Sequence, residues 1–166
     1  MADRTRHSRQ GANSPTSIVF VCTGNICRSP MAEIVFRHRL TEHGLSETVI
    51  VRSAGIGDWH VGEPADPRAR AILRAGGYPV RHVAAQIGPG HLTADLLLAA
   101  DQGHLNHLRP LVGDPARLRL LRSFDPTAPD GAEVPDPYYG GDDGFAEVLA
   151  MIERAVDGLL GWVRDR

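Results

Sequence analysis

The stretch from Ile18 to Phe36 restricts this chain more than any other. Ile18-Val19-Phe20-Val21 is short, apolar and rich in β-branched residues, while Met31-Ala32-Glu33-Ile34-Val35-Phe36 reads as a helix. Between them lies Cys22-Thr23-Gly24-Asn25-Ile26-Cys27-Arg28-Ser29-Pro30. A buried strand that feeds a helix through a tight loop is the opening of an α/β unit. The same arrangement makes an anion site. The first amides of a helix have no intrahelical partner, and its macrodipole favours negative charge.

Chemistry-bearing residues occupy that loop. A thiol at the strand end, facing a helix N-terminus, is favoured as thiolate, and Cys22 stands there. Arg28 can hold two oxygens of a phosphate in a fork. A cation at a helix N-terminus is electrostatically unfavourable without a partner, so Arg28 calls for an anion. Gly24 and Asn25 tolerate φ > 0, the conformation that turns successive amides inward as a nest. The run Thr23, Gly24, Asn25, Ile26, Cys27 and Arg28 therefore reads as a phosphoryl-binding loop with a nucleophile at its base. Ser29 can donate its hydroxyl to the Cys22 sulfur, cap the helix, or do both.

The rest of the chain continues the alternation. Strands are expected at Ser17–Val21, Thr48–Arg52, Leu96–Ala100 and Leu118–Leu121. Helices are expected from Ser29 to His43, with Gly44 as terminator, over Pro67–Ala75 and His104–Leu111, and from Gly144 to Arg164. The last helix carries Phe145, Val148, Leu149, Ile152, Val156, Leu159 and Leu160 on one side. This order predicts one three-layer α/β domain over 17–166, a parallel sheet flanked by helices on both faces. Right-handed crossovers bring Cys22, Ser53 and Asp101 to one crevice at the strand carboxyl ends. Residues 1–16 are polar and aperiodic, and are expected to be a disordered tail. Ser123–Gly141 is a long, Pro-rich, acidic loop of the kind that carries function.

Composition excludes several classes. The chain has 166 residues and is 42% hydrophobic, enough for one core. No apolar run approaches a membrane span, and residues 1–16 lack a secretory apolar segment, so a cytoplasmic location is expected, with no membrane partner. A net charge of −2 argues against a nucleic-acid partner. Both cysteines lie in one loop, which suits reactive thiols in a reducing compartment and not a disulfide framework. No His/Cys/Asp cluster has metal-ligand spacing, so neither a metal nor a cofactor is expected. The basic residues are all Arg and none is Lys, which reads as a GC-rich bacterial genome.

Val21-Cys22-Thr23-Gly24-Asn25-Ile26-Cys27-Arg28-Ser29-Pro30, Ser53-Ala54-Gly55, Trp59, His82 and Asp136-Pro137-Tyr138-Tyr139-Gly140 together resemble the low-molecular-weight protein tyrosine phosphatase family, its actinobacterial branch above all. The resemblance runs from about Ser17 to the C-terminus. It implies a four-stranded parallel sheet of order 2-1-3-4 and phosphotyrosine proteins as substrates. It also implies a cysteinyl-phosphate intermediate on Cys22, with Arg28 as oxyanion clamp. Asn25 would tie the loop to Ser53 and His82. A general acid must protonate the leaving oxygen. Asp125-Pro126 and Asp136-Pro137 have the same local chemistry and residue type does not separate them; the resemblance favours Asp136. Trp59, Tyr138 and Tyr139 would wall the pocket against an aryl group, and the two tyrosines, if exposed, are acceptors for a partner kinase. Cys27 is either a small apolar loop residue or the partner of Cys22 in a disulfide formed under oxidant. Two other functions share these features. One is an arsenate reductase, whose thiol relay needs more cysteines than Cys27 supplies; the other is a non-catalytic phosphate-binding or redox-sensing module.

Overall fold

The computed structural model describes residues 14–166. Its sheet has four parallel strands in the order β2-β1-β3-β4. They are β1 (Thr16–Cys22), β2 (Val49–Gly55), β3 (Leu96–Ala99) and β4 (Leu118–Leu120). The helices are α1 (Arg28–Glu42), α2 (Pro67–Ala75), the single turn α3 (Pro89–Leu92), α4 (Gln102–Leu108) and α5 (Asp142–Arg164). Short 3₁₀ turns flank β4 at Pro115–Arg117 and Leu121–Phe124.

The central strand explains the three layers. Side chains alternate along a strand, so Ile18, Phe20 and Cys22 enter one core and Val19 and Val21 the other. The first core lies under α1, α2 and α5; the second holds Leu105 and Leu108 of α4. Every residue of the apolar stripe expected on α5 is buried there. Phe20 and Phe36 meet edge to face at 5.9 Å, fixing α1 on β1. A Cβ on Gly158 would stand 1.8 Å from the Phe124 carbonyl oxygen, so α5 rests directly on the turn after β4.

Several boundaries differ from expectation, each for a local reason. β1 starts at Thr16, inside the expected tail, because the Thr16 amide donates to Thr48 O at 2.9 Å. The rest of that tail, residues 1–13, lies outside the described residues. β2 runs on to Gly55, so Ser53 is within the strand and not after it; its pairing follows β1 all the way to Cys22. α4 begins at Gln102 because the Asp101 carboxylate caps it, accepting from the His104 amide at 3.0 Å. α1 begins at Arg28, and its N-cap is Cys27 without a side-chain bond, so Ser29 is not the cap. No helix among the described residues is long and apolar enough to cross a membrane.

Candidate active site

Cys22 closes β1 and is buried. The pairing with β2 continues past it, with the Ile56 amide donating to Cys22 O at 2.9 Å and the Gly57 amide to Thr23 O at 3.0 Å. Gly55 makes this approach possible. A Cβ there would lie 2.9 Å from both Gly24 C and Thr23 O, and 3.0 Å from Asn25 N. Among the described residues, the amides of Thr23 to Arg28 donate to no protein acceptor.

Asn25 turns the loop. It is the one non-glycine with φ > 0 among the described residues, at 58°. Gly24, expected to share that conformation, does not adopt it; its missing Cβ instead makes room for the His60 ring, whose Cδ2 would be 2.9 Å away. The Asn25 side chain is fully buried, and both of its polar atoms are bonded. Its Nδ2 donates to Ser29 Oγ at 2.7 Å and Ser53 Oγ at 3.0 Å, while Oδ1 accepts from the Ala85 amide at 2.9 Å. His82 is placed differently from expectation: its Nε2 meets the Asn25 backbone carbonyl, not the side chain, at 2.6 Å. Burial lowers the His82 pKa, partly offset by this bond, so the neutral ring carries its proton on Nε2.

This network decides where a proton points. Ser29 Oγ accepts from Asn25, so its own hydroxyl is free to donate to Cys22 Sγ, 2.9 Å away. A donor aimed at the sulfur stabilises its anionic form.

Arg28 is held just as tightly. Nη1 donates to Asp101 Oδ2 and to Val134 O, each at 2.9 Å, and Nη2 donates to Thr23 Oγ1 at 3.2 Å. Of the five guanidinium N–H bonds, that leaves Nε–H and one on Nη2, which form a single edge of the fork. Burial opposes charge on Asp101, but the His104 amide and Arg28 hold its carboxyl below the usual range. Thr23 Oγ1 accepts from Arg28, so its proton goes to His104 Nε2 at 2.8 Å. Burial pushes the His104 imidazole down to about 4 against the pull of Asp101, so it is a neutral acceptor. Its Nδ1 faces Asp101 Oδ1 at 3.2 Å, off the line of a hydrogen bond.

Over the loop opens a cleft of about 310 Å³. Trp59 and His60 reach it from the loop after β2, and Asp136, Tyr138 and Tyr139 from the long loop before α5. Trp59 folds over Gly57, where a Cβ would stand 1.8 Å from its ring. Trp59 is 68% and Tyr139 89% exposed, so neither is a core aromatic. The Tyr138 and Tyr139 rings meet edge to face at 5.0 Å. Asp136 Oδ1 accepts from the Tyr138 amide at 3.0 Å, and Oδ2 lies 3.7 Å from Arg28 Nη2.

Asp125 sits elsewhere. Its side chain is 1% exposed and lies outside the cleft, bonded to the Thr127 amide, the Thr127 hydroxyl and Arg154. Burial works against its charge, yet Thr127 and then Arg154 keep the carboxyl below its usual range. Cys27 lies in the cleft wall, but burial, with Asp66, Cys22 and Asp136 nearby, pushes its thiol up to about 12. Residue type alone did not signal Gly55, His60, Arg68 or His104. Asp66-Pro67 was a readable helix start, with Asp66 accepting from the Arg68 amide at 2.8 Å. Among the described residues no group of three or more His, Cys, Asp or Glu is placed to hold a metal.

Comparison with known proteins agrees with this geometry. The family model described as low molecular weight phosphotyrosine protein phosphatase matches residues 17–166. The low molecular weight protein-tyrosine phosphatase A of Mycobacterium tuberculosis is 54% identical over 93% of this chain and 95% of its own length. The low molecular weight protein-tyrosine-phosphatase of Streptomyces coelicolor is 53% identical over 90% of this chain and 94% of its own. Among solved structures, a protein tyrosine phosphatase from Entamoeba histolytica with Hepes in its active site superposes with a TM-score of 0.85. It is 33% identical, over 90% of this chain and 97% of that one. With the fold, the matched span and the relatives in agreement, this chain belongs to the low molecular weight phosphotyrosine protein phosphatase family.

Proposed function

We propose that the protein hydrolyses phosphotyrosine in protein substrates through a cysteinyl-phosphate on Cys22, with Asp136 as general acid and then base. The observation that carries this reading is the Cys22 sulfur, 2.9 Å from the Ser29 hydroxyl, at the base of a cleft that Asp136 borders.

The phosphate dianion binds the Thr23–Arg28 amides and the free edge of Arg28, which supply preorganised donors to its equatorial oxygens. Cys22 thiolate attacks phosphorus; the S–P bond forms as the P–O bond to the tyrosine breaks. Asp136 gives its proton to the departing phenolate oxygen. Water then attacks the cysteinyl-phosphate, Asp136 takes the proton, and the S–P electrons return to sulfur as thiolate. Ser29 stabilises that leaving thiolate. Gly24, Asn25, Ile26 and Cys27 shape the loop, and Ser53 and His82 hold it through Asn25. Trp59, Tyr138 and Tyr139 flank an aryl ring over the phosphate, with about 0.5–1.5 kcal/mol of stacking per pair beyond burial. A phosphoserine is too short to use those walls. Tyr139 is exposed, as an acceptor for a partner kinase must be.

The test is turnover of para-nitrophenyl phosphate without added metal. Cys22→Ser should leave less than about a hundredth of kcat. Arg28→Lys should fail as well, because a point charge cannot reproduce the fork. Asp136→Asn should lower kcat by roughly 10²–10⁴-fold and flatten the basic limb of the pH profile. Comparable kcat/KM on phosphoserine and phosphotyrosine peptides would overturn the substrate assignment.

A further inference from the structure

The loop that carries Asp136 has few ties to the body of the protein. Val134 anchors its start: the Val134 amide donates to Ala100 O at 2.8 Å, and its carbonyl accepts from Arg28 at 2.9 Å. From there to Gly141, among the described residues, the hydrogen bonds that reach the loop from elsewhere in the fold both come from Arg68. Its Nη2 donates to Tyr138 O at 3.0 Å and its Nη1 to Gly140 O at 3.3 Å.

Arg68 is itself fixed from three directions. Nε donates to Asp66 Oδ1 at 3.1 Å and Nη2 to Asp66 Oδ2 at 3.2 Å, a two-point clamp. The guanidinium lies over Phe145 at 4.7 Å and Tyr138 at 5.5 Å. Asp66 is buried at the start of α2, and its amide donates to Ile26 O, inside the Cys22–Arg28 loop, at 2.8 Å. A continuous set of bonds thus runs from Ile26 through Asp66 and Arg68 to the Tyr138 peptide. The Tyr138 amide then holds Asp136 Oδ1 at 3.0 Å.

We propose that Arg68 is the positioning residue that sets the Asp136 carboxyl over the phosphate-binding loop. Arg68 is absent from the cleft lining, so it acts through the backbone that Asp136 hangs from. The bonds to two carbonyls require a planar fork; a single donor cannot span Tyr138 O and Gly140 O while keeping Asp66. The inference rests on Asp136 being the general acid.

The experiment compares two esters. Phenyl phosphate has a poor leaving group that needs the proton; 2,4-dinitrophenyl phosphate has one that departs unprotonated. Arg68→Ala should lower kcat/KM on phenyl phosphate by about 10–100-fold, the scale of a misplaced acid, and change kcat/KM on the dinitrophenyl ester by less than about threefold, because kcat/KM reports the steps up to phenol release and not the later hydrolysis in which Asp136 is the base. Arg68→Met, which keeps an apolar stem on Phe145, should do the same and serves if the alanine variant does not fold. Adding Arg68→Ala to Asp136→Asn should cost phenyl phosphate turnover nothing further. Equal losses of kcat/KM on both esters would assign Arg68 to the fold instead, and unchanged kcat/KM on both would show that the acid is held without it. Asp136→Asn run alone separates the two claims. If it spares phenyl phosphate, the acid assignment fails; if it shows the ester dependence and Arg68→Ala does not, only the positioning role falls.

Discussion

Gly55→Ala adds one carbon where the backbone of the Cys22–Arg28 loop already lies. The new Cβ would stand 2.9 Å from Gly24 C and Thr23 O and 3.0 Å from Asn25 N, against 3.4–4 Å for ordinary contact. All three neighbours are main-chain atoms, so no side chain can swing away. The loop must retreat by about half an ångström, because β2 is fixed by its pairing with β1. Gly55 is not in the positive-φ region, so alanine meets no conformational barrier of its own and the fold should persist. Overpacking of this kind costs about 1–3 kcal/mol. The catalytic loss should be roughly tenfold, given that a displacement near 1 Å can cost about 10²-fold. The assay is kcat/KM on para-nitrophenyl phosphate, with the inhibition constant of inorganic phosphate and a thermal melt alongside. Phosphate should bind more weakly and kcat should fall. Gly161→Ala in α5, where nothing lies within 4 Å of the added carbon, is the control; it should stabilise by about 0.5–1 kcal/mol and leave kinetics alone. Wild-type kcat/KM and melting temperature for Gly55→Ala would refute the claim that β2 sets the position of the loop.

Three further outcomes follow from the buried groups. The His104 imidazole titrates near 6.5 when unfolded and about 4 when folded, so between those values the unfolded chain binds more protons and stability falls as pH falls. The loss should reach about 3 kcal/mol and level off below pH 4; urea melts across that window should show it shrinking in His104→Gln, and an unchanged slope would refute it. Asp125→Asn should lower the melting temperature by weakening the Arg154 and Thr127 bonds, at roughly 1.5–3 kcal/mol, while the basic limb of the pH–rate profile survives; loss of that limb would return Asp125 as the acid. Cys27, its thiol pushed up to about 12, should resist iodoacetamide near pH 8 in Cys22→Ser protein. Rapid modification read by peptide mass spectrometry would contradict its burial.

Much of this architecture was legible in the chain, because strand and helix periods and the Cys22–Arg28 spacing are local signals. The apolar stripe of α5 and the crossovers of a parallel sheet needed nothing more. What was hidden was set by partners far along the chain. The expected left-handed turn fell on Asn25 alone, because Gly24 is used to admit His60. Ser53 was placed after a strand it belongs to, since the extent of β2 is set by pairing with β1 up to Cys22. His82 reached the Asn25 carbonyl and not the amide side chain, whose Oδ1 accepts from the Ala85 amide. Arg68 and His104 carry no motif of their own. Their bonds to Thr23, Tyr138 and Gly140 exist only because the fold sets α2 and α4 beside loops far from them in sequence. Asp125 and Asp136, alike in sequence, part on burial: one is tied down by Arg154 and the other faces the cleft.

The two halves of the site hang from supports of very different permanence. Cys22 ends a strand covered on both faces, so its amide should exchange with solvent only when the whole domain opens. Past the Val134 anchor, the backbone that carries Asp136 is laced to the body, among the described residues, by the Arg68 bonds, and such a segment can open by itself at small cost. Hydrogen exchange should therefore split the site into a slow half at the Cys22 loop and a fast half at the loop that carries Asp136. The cradle at Cys22 would then keep its shape while the loop that carries Asp136 opens and closes over it.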